Sequence, residues 1–224
     1  MIPRELLATA HVPGGGDPLR LIRRGSEFSI MLGANELMNS RLSGSEEAMS
    51  RLARACIADV PSPRVLIGGL GMGFTLRTAL ETFGAQATFD VAELVPEIVD
   101  WARGPMAHLH LGTLDDPRVT ICIDDVGRLI RAAKTRYDAI LLDVDNGPDG
   151  LSREGNDALY SDKGLAQARA ALRRDGVLAV WSSGPDDRFT KRLRRAGFTV
   201  SEEIVRARTT GGGARHTVWL AVRR

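Results

Sequence analysis

This chain of 224 residues has few cysteines, no long apolar run and almost no net charge. Its two cysteines, Cys56 and Cys122, lie in apolar surroundings, which excludes a disulfide framework and predicts reduced thiols in a cytoplasmic protein. The most apolar run, residues 65–70, is far shorter than the ~20 residues of a membrane-spanning helix. The N-terminus also lacks the pattern of a signal peptide. We therefore expect no membrane partner.

Basic and acidic residues are nearly balanced, at 30 and 28, so the net charge is only +2. Nucleic-acid binding requires a concentrated basic field, and none is predicted. His108 and His110 have no third ligand at a metal-binding spacing, so no metal site is predicted. The serines at 182–183 lack the strand–turn–helix context of a nucleophile elbow, which argues against a serine hydrolase.

The first 60 residues divide into two predicted parts. Residues 1–18 contain three consecutive glycines between prolines and are predicted to be a flexible lead-in. Residues 19–60 are predicted to form a cap made of a β-hairpin and a helix, with strands at 19–23, 28–32 and 37–40. Ser43 and Glu46 have the spacing of a capping box at the start of that helix.

From residue 64 to residue 224, apolar strands alternate with amphipathic helices. Strands that are apolar on both faces and separated by helices indicate a parallel sheet covered on both sides. The last two predicted strands, 199–205 and 216–222, have no helix between them and must be antiparallel. The prediction is an α/β domain with a seven-stranded mixed sheet, the Rossmann-like architecture of class I S-adenosylmethionine-dependent transferases.

A glycine-rich turn follows the first strand of this domain, at residues 68–73. Glycines allow the backbone to turn tightly and approach a ligand, with the N-terminus of the next helix behind it. Glu93 ends the second strand, where a carboxylate can accept both ribose hydroxyls of an adenosine cofactor. After the third strand, Asp125, rather than Asp124, is the better candidate to bind an adenine amino group. A plain helix N-cap is the alternative for Asp125.

The fourth strand runs into an acidic loop that begins at Asp143. Ligands of open α/β sheets bind at the carboxyl ends of the strands, so Asp143 is placed where a donor carbon and a nucleophile could meet. An alkylamine must lose a proton before it attacks, and Asp143 could orient the amine and accept that proton. Asp145, Asn146 or Asp149 would hold the rest of the acceptor; the alternative for the loop is a solvated acidic turn.

Together these segments resemble the spermidine synthase (aminopropyltransferase) family, over roughly residues 64–179. The resemblance rests on the glycine loop, on Asp-Pro-Arg-Val at 116–119, on the Tyr-Asp at 137–138 and on Leu159-Tyr160. It implies a homodimer and a site in which Asp143 is the catalytic aspartate. The residues it assigns to the cofactor are Gly69, Gly71, Met72, Gly73, Glu93, Asp125 and Asp143. Those it assigns to the substrate are Asp145, Asn146 and Tyr160.

Three departures from the family pattern affect the expected reaction. Met72 replaces an aspartate that holds the amine of decarboxylated S-adenosylmethionine, and Asn146 replaces a polyamine-binding aspartate. A Tyr-His pair is replaced by the sequence at 45–48. We therefore predict methyl transfer from intact S-adenosylmethionine to a small amine-bearing acceptor. Aminopropyl transfer from decarboxylated S-adenosylmethionine to a polyamine is the alternative, and a non-catalytic nucleoside-binding or partner subunit is a second one.

The N-terminal cap is expected to close over the cleft. Polar side chains there are candidate acceptor contacts, with surface positions as the alternative; they are Glu36, Asn39, Ser40, Arg41, Glu46 and Glu47. Trp181 and His216 are expected to be packed residues that could also face the cleft. Trp219 is predicted to lie in the core.

Overall fold

The computed structural model describes residues 2–144, 158–208, 210 and 213–224. The N-terminal part is an antiparallel sheet of four strands in the order β1-β2-β3-β4. These strands are β1 (Glu5–Ala10), β2 (Leu19–Arg24), β3 (Glu27–Leu32) and β4 (Asn35–Asn39). β1 lies inside the segment predicted to be a flexible lead-in, so that prediction is corrected. The strand is held by backbone pairing to β2, and a register shift between Leu6 and Ala8 removes the regular alternation that would reveal it.

Helix α1 (Gly44–Cys56) follows this sheet. Ser43 is its N-cap, but the expected capping box does not form, because the Ser43 side chain makes no cap hydrogen bond. The Ser43 hydroxyl instead donates to Glu47 Oε1 at 2.8 Å. The Glu46 side chain instead lines the cavity of the candidate site.

The second sheet has seven strands in the order β10-β11-β9-β8-β5-β6-β7. The five strands from β9 to the edge strand β7 are parallel, and β11 runs antiparallel to both β9 and β10. The strands are β5 (Arg64–Gly68), β6 (Thr88–Glu93), β7 (Val119–Ile123), β8 (Tyr137–Leu142), β9 (Leu172–Ser182), β10 (Thr199–Arg206) and β11 (Arg215–Val222). The predicted seven-stranded mixed sheet with a reversed strand is confirmed.

Helices cover both faces of this sheet. They are α2 (Phe74–Thr82), α3 (Pro96–Arg103), α4 (Ala107–His110), α5 (Val126–Ala132), α6 (Asp162–Ala171) and α7 (Asp187–Arg195), with a 3-10 turn at Thr113–Asp115. All six residues of β8 are buried, as expected of a strand covered on both faces. Trp219 is fully buried, as predicted, and its Nε1 donates to Thr190 Oγ1 at 2.8 Å.

Membrane-spanning helices and clusters of metal ligands are both absent from the described part of the chain. None of the helices there has the length and apolar character needed to cross a bilayer. No group of three or more metal-binding side chains occurs among those residues either. His108 packs its ring against Phe28 with centroids 5.3 Å apart, and His110 is buried.

Candidate active site

A cavity of about 410 Å³ lies at the carboxyl ends of β5, β6, β7 and β8. The N-terminal sheet closes its opposite side with apolar side chains, namely Leu19, Ile30, Leu32, Leu37 and Met38. Six carboxylates line it: Asp17, Glu46, Glu93, Asp124, Asp125 and Asp143. Among the described residues, no lysine, arginine or histidine joins them. The site is therefore an acidic pocket with an apolar wall.

The glycine loop forms the floor of this cavity. Gly69 and Gly71 line it and have positive φ angles of 88° and 50°. A side chain at Gly71 would lie 2.9 Å from Met38 Sδ, and one at Gly69 would meet the carbonyl oxygen of Asp143. Glycine is needed at both positions, because the backbone is left-handed and its neighbours are close. The loop can therefore approach a ligand closely.

The two other loop residues assigned to the cofactor do not line the cavity. Met72 is fully buried among apolar side chains of the core. Gly73 has a φ of 79° and packs against the ring of His110. The loop thus brings Gly69 and Gly71 to the cavity and turns Met72 and Gly73 away from it.

Glu93 lines the cavity from the end of β6 and is 8% exposed. Its Oε2 accepts from the Leu70 amide at 3.0 Å, and its Oε1 accepts from the Val95 amide at 2.9 Å. Burial raises the pKa of this carboxyl, and the backbone hydrogen bonds oppose that rise. A carboxylate oxygen has more than one lone pair, so the oriented group can still accept from ligand hydroxyls.

Asp125 is a helix cap and also lies where a ligand could reach it. It is the N-cap of α5, where its Oδ1 accepts from the Arg128 amide at 2.9 Å, and it also lines the cavity. Asp124 lines the cavity as well, accepts from the Asp125 amide at 2.8 Å and lies 3.3 Å from the Arg128 guanidinium. The helix cap fixes the orientation of Asp125 without excluding contact with a ligand.

Asp143 follows β8 and faces the cavity, as predicted from its position at the end of the strand. Its Oδ2 accepts from Thr75 Oγ1, at the start of α2, at 2.6 Å. Removal from bulk water raises its pKa to about 6, against the opposing effect of the Thr75 bond. A carboxyl with this pKa is suited to exchange a proton near neutral pH. Asp145, Asn146 and Asp149, predicted to bind the acceptor, lie outside the described residues.

Glu46 is a second acid at this end of the cavity, contributed by the first turn of α1. It is 8% exposed, and its Oε2 accepts from Ser45 Oγ at 2.6 Å. The same Ser45 oxygen lies 2.8 Å from His216 Nδ1 on β11. Burial, and then the negative charge of Asp143, raise the pKa of Glu46 to about 7.

From the sequence, Glu46 is only one of six candidate acceptor contacts and part of a predicted capping box. The structure brings it to Asp143, although α1 and β8 are distant in sequence. Among the other five, Glu36 accepts hydrogen bonds from Ser29 and Asn39, within the N-terminal sheet. One feature of the sequence does point to Glu46: the family's Tyr-His pair is replaced at residues 45–48, which include it.

Trp181 and His216 pack against each other with ring centroids 4.8 Å apart and an interplanar angle of 72°. Trp181 lines the cavity, whereas His216 lies behind it and contacts Trp181 and Ser45. Burial lowers the pKa of His216, which favours the neutral ring. Tyr160 does not line the cavity: it is buried against Phe189, at 5.6 Å between ring centroids.

Comparison with known proteins agrees with this geometry. Residues 47–186, more than half of the chain, match the Spermine/spermidine synthase domain family. A polyamine aminopropyltransferase of Mycobacterium tuberculosis (strain CDC 1551 / Oshkosh) is 32% identical over 158 residues, which cover 66% of this chain and 29% of that protein. One from Pyrobaculum calidifontis is 33% identical over 134 residues, covering 58% of this chain and 45% of that protein. The alignments thus span less than half of the length of these curated relatives.

Solved structures show the same fold. The spermidine synthase of Thermotoga maritima superposes with a TM-score of 0.74 at 20% identity, covering 98% of this chain and 73% of that one. A spermidine synthase in complex with the transition state analogue AdoDATO gives a TM-score of 0.73 at 20% identity, covering 98% and 72% of the two chains.

The fold and the position of the cavity define a Rossmann-like domain of the class I methyltransferase type. Within that class, the chain belongs to the Spermine/spermidine synthase domain family.

Proposed function

We propose that this chain transfers an aminopropyl group from decarboxylated S-adenosylmethionine to an amine acceptor. The observation that carries the proposal is the set of six carboxylates in a cavity whose described lining residues include no basic side chain. Both reactants are cations: the donor carries a sulfonium and an ammonium, and the acceptor carries an ammonium. A negative field concentrated in a partly desolvated cleft attracts such molecules.

The same field argues against intact S-adenosylmethionine, and so against the methyl transfer predicted from the sequence. The intact donor has a carboxylate, which the cavity's acids would repel. The sequence prediction relied on the loss of a negative charge at Met72, but that side chain does not line the cavity. Glu46, which the sequence indicates only as a candidate acceptor contact, supplies a further carboxylate there. The curated relatives, named polyamine aminopropyltransferases, also favour aminopropyl transfer.

In the proposed binding mode, the adenosine lies over the glycine loop. Gly69 and Gly71 allow its close approach, Glu93 accepts the ribose hydroxyls and Asp125 accepts the adenine amino group. The acceptor amine lies beside Asp143, against the apolar wall formed by the N-terminal sheet. That wall suits the methylene groups of an alkylamine.

The proposed chemistry is a nucleophilic substitution at carbon. Asp143 orients the acceptor amine and accepts its proton, so that the nitrogen lone pair is free to attack. The new C–N bond forms at the donor carbon attached to sulfur while the C–S bond breaks. The bonding electrons go to sulfur, which leaves a neutral thioether nucleoside. Holding the two reactants in line supplies much of the acceleration.

Product analysis with each donor tests this proposal. The protein is incubated with a diamine and either decarboxylated or intact S-adenosylmethionine, and the products are identified by mass spectrometry. We expect methylthioadenosine and an aminopropylated amine, formed from the decarboxylated donor. Formation of S-adenosylhomocysteine and a methylated amine would instead support the methyl-transfer prediction. Calorimetry should show at least tenfold tighter binding of the decarboxylated donor.

The homodimer and the cytoplasmic location implied by the sequence analysis remain predictions. The same is true of the boundary between the N-terminal cap and a catalytic domain at residues 64–224. Light scattering coupled to size-exclusion chromatography would measure the mass of the assembly and test the homodimer directly.

A further inference from the structure

Two low-exposure carboxylates outside the cavity, Asp90 and Asp138, have cationic side chains beside them. Asp90 lies 3.2 Å from the Arg64 guanidinium and 3.0 Å from that of Arg136. Asp138 lies 2.8 Å from the Arg173 guanidinium. A desolvated carboxylate is costly unless a counter-charge and hydrogen bonds compensate it, so this pairing is the expected arrangement.

Glu46 and Asp143 depart from that pattern. Both line the cavity, and within the described residues neither forms an ion pair with a lysine, arginine or histidine. Their hydrogen bonds come from neutral hydroxyls: Ser45 donates to Glu46 at 2.6 Å, and Thr75 donates to Asp143 at 2.6 Å. Two acids are thus oriented into one space, with the counter-charge missing from the described protein.

The neighbouring residue Glu47 shows that this is not a general property of the first turn of α1. Glu47 lies 3.1 Å from the Arg51 guanidinium and 3.5 Å from that of Arg77, and it does not line the cavity. Glu46 and Glu47 are therefore adjacent on one helix but differently placed: Glu47 is paired with arginines of the protein, and Glu46 faces the cavity.

We propose that Glu46 and Asp143 form a carboxylate pair that binds a primary alkylammonium group carried by one of the two reactants. The inference rests on the proposed function, and it adds Glu46 as a binding residue. The ammonium belongs either to the donor's aminopropyl group or to the acceptor. In both cases it supplies the counter-charge that the described protein does not.

Ser45 and His216 position Glu46 in this arrangement. Because the Ser45 hydroxyl donates to Glu46, its oxygen accepts from His216 Nδ1–H, at 2.8 Å. His216 is fixed in turn against Trp181, whose ring lines the cavity. Aromatic rings attract ammonium ions, so an indole that lines the same cavity adds to its preference for an alkylammonium ion.

Proton release provides a signature specific to the pair. Without a cation, two neighbouring acids retain a proton near neutral pH, because burial and mutual repulsion oppose full ionisation. An ammonium ion ionises both and displaces that proton. The other titratable groups are Glu47 beside Glu46 on α1, His216 behind Ser45, and the acids that line the same cavity, Asp17, Glu93, Asp124 and Asp125.

Calorimetry on wild-type protein, Glu46→Gln and the matched control Glu47→Gln tests the proposal. One arm titrates decarboxylated S-adenosylmethionine, and the other titrates 1,4-diaminobutane into protein saturated with methylthioadenosine. Methylthioadenosine alone, which has no ammonium group, reports on folding and on the adenosine end. Each titration is repeated at about pH 6.5 in two buffers of different ionisation enthalpy, to count the protons released.

We expect Glu46→Gln to weaken one ammonium ligand by about tenfold to a hundredfold and to reduce its proton release. The arm that is affected identifies the source of the ammonium. Methylthioadenosine binding should stay within about twofold in all variants, and Glu47→Gln should behave as wild type in both arms. Ser45→Ala should weaken the same ligand by a smaller factor, since the carboxylate remains.

Unchanged affinity and proton release in both arms would overturn the pair. If Glu46→Gln weakens an ammonium ligand but wild-type protein forms no aminopropylated amine in the product analysis, the proposed function fails and the carboxylate pair stands. If no ligand binds wild-type protein, both proposals are rejected.

Discussion

The two ends of the cavity hold their carboxylates by different means. At the adenosine end, Glu93 and Asp125 accept hydrogen bonds from backbone amides, which the fold fixes in place. At the acid end, Glu46 and Asp143 accept from the hydroxyls of Ser45 and Thr75, and within the described chain neither has a cationic partner. In the proposed binding mode, the first end recognises a neutral nucleoside, whereas the second depends on charge brought by the ligand.

The largest expected effect comes from Asp143→Asn. Loss of the proton acceptor should reduce turnover by about 10²- to 10⁴-fold. Methylthioadenosine affinity should remain within about threefold, because the adenosine end is intact. Steady-state rates and calorimetry measure the two quantities, with Asp100→Asn on the exposed face of α3 as the control.

An unchanged rate in Asp143→Asn would remove Asp143 from its catalytic role. A wild-type protein that binds methylthioadenosine but turns over neither donor would support the alternative of a non-catalytic nucleoside-binding subunit.

Glu93→Gln should have the next largest effect, confined to the opposite end. The glutamine side chain has no negative charge. Its NH₂ group would also face the backbone N–H of Leu70 or Val95, which in the wild-type protein donates to a carboxylate oxygen of Glu93. We expect methylthioadenosine to bind about tenfold to a hundredfold more weakly. Glu81→Gln, at an exposed position on α2, should leave the affinity unchanged. Equal affinities for the two variants would contradict the assignment of Glu93 to the ribose.

The two ends also differ in how far the sequence could predict them. Gly69, Gly71, Glu93 and Asp125 follow successive strands, and the carboxyl ends of parallel strands meet at one edge of a sheet. Their positions could therefore be predicted from strand spacing alone. Glu46 comes from a helix outside that alternating pattern, and its approach to Asp143 depends on how α1 packs in three dimensions. Periodicity carries no information on such a contact.

Met72 illustrates a related limit. A position in a loop can be aligned with a family motif, but the direction of its side chain depends on local backbone angles. Here the left-handed Gly71 and Gly73 on either side of Met72 turn its side chain into the core. Likewise, β1 was missed because it is an edge strand in which only one of six residues is fully buried, and such a strand has no clear apolar alternation.

The acid end should also make stability depend on pH. The pKa values of Glu46 and Asp143 are raised in the folded protein, to about 7 and about 6, so the folded state binds more protons than the unfolded state. Their contribution to stability is then complete below about pH 4 and is lost as the pH rises through 6 and 7.

When the pH rises from about 5 to about 8, the free energy of unfolding should fall for both proteins. For Glu46→Gln the fall should be smaller than for wild-type protein by about 1–3 kcal/mol. Denaturant unfolding at the two pH values measures this difference. Glu47→Gln, which removes a carboxyl paired with Arg51 and Arg77, should keep the wild-type pH dependence. Parallel pH profiles for wild type and Glu46→Gln would show that Glu46 titrates normally.

The smallest expected effect separates the two roles of Asp125. Asparagine is as good an N-cap as aspartate, so Asp125→Asn should keep the stability of α5, whereas Asp125→Ala should cost about 1 kcal/mol. The asparagine carbonyl can still accept from an adenine amino group, but without the negative charge, so methylthioadenosine should bind about two- to fivefold more weakly.

Calorimetry on Asp125→Asn and Asp124→Asn makes the comparison, because both residues line the cavity and only Asp125 is assigned to adenine. If Asp124→Asn weakens the nucleoside and Asp125→Asn does not, the adenine contact belongs to Asp124. Asp125 would then be a cap alone, and the adenosine end would have its base-recognising carboxylate one residue earlier than the strand pattern predicts.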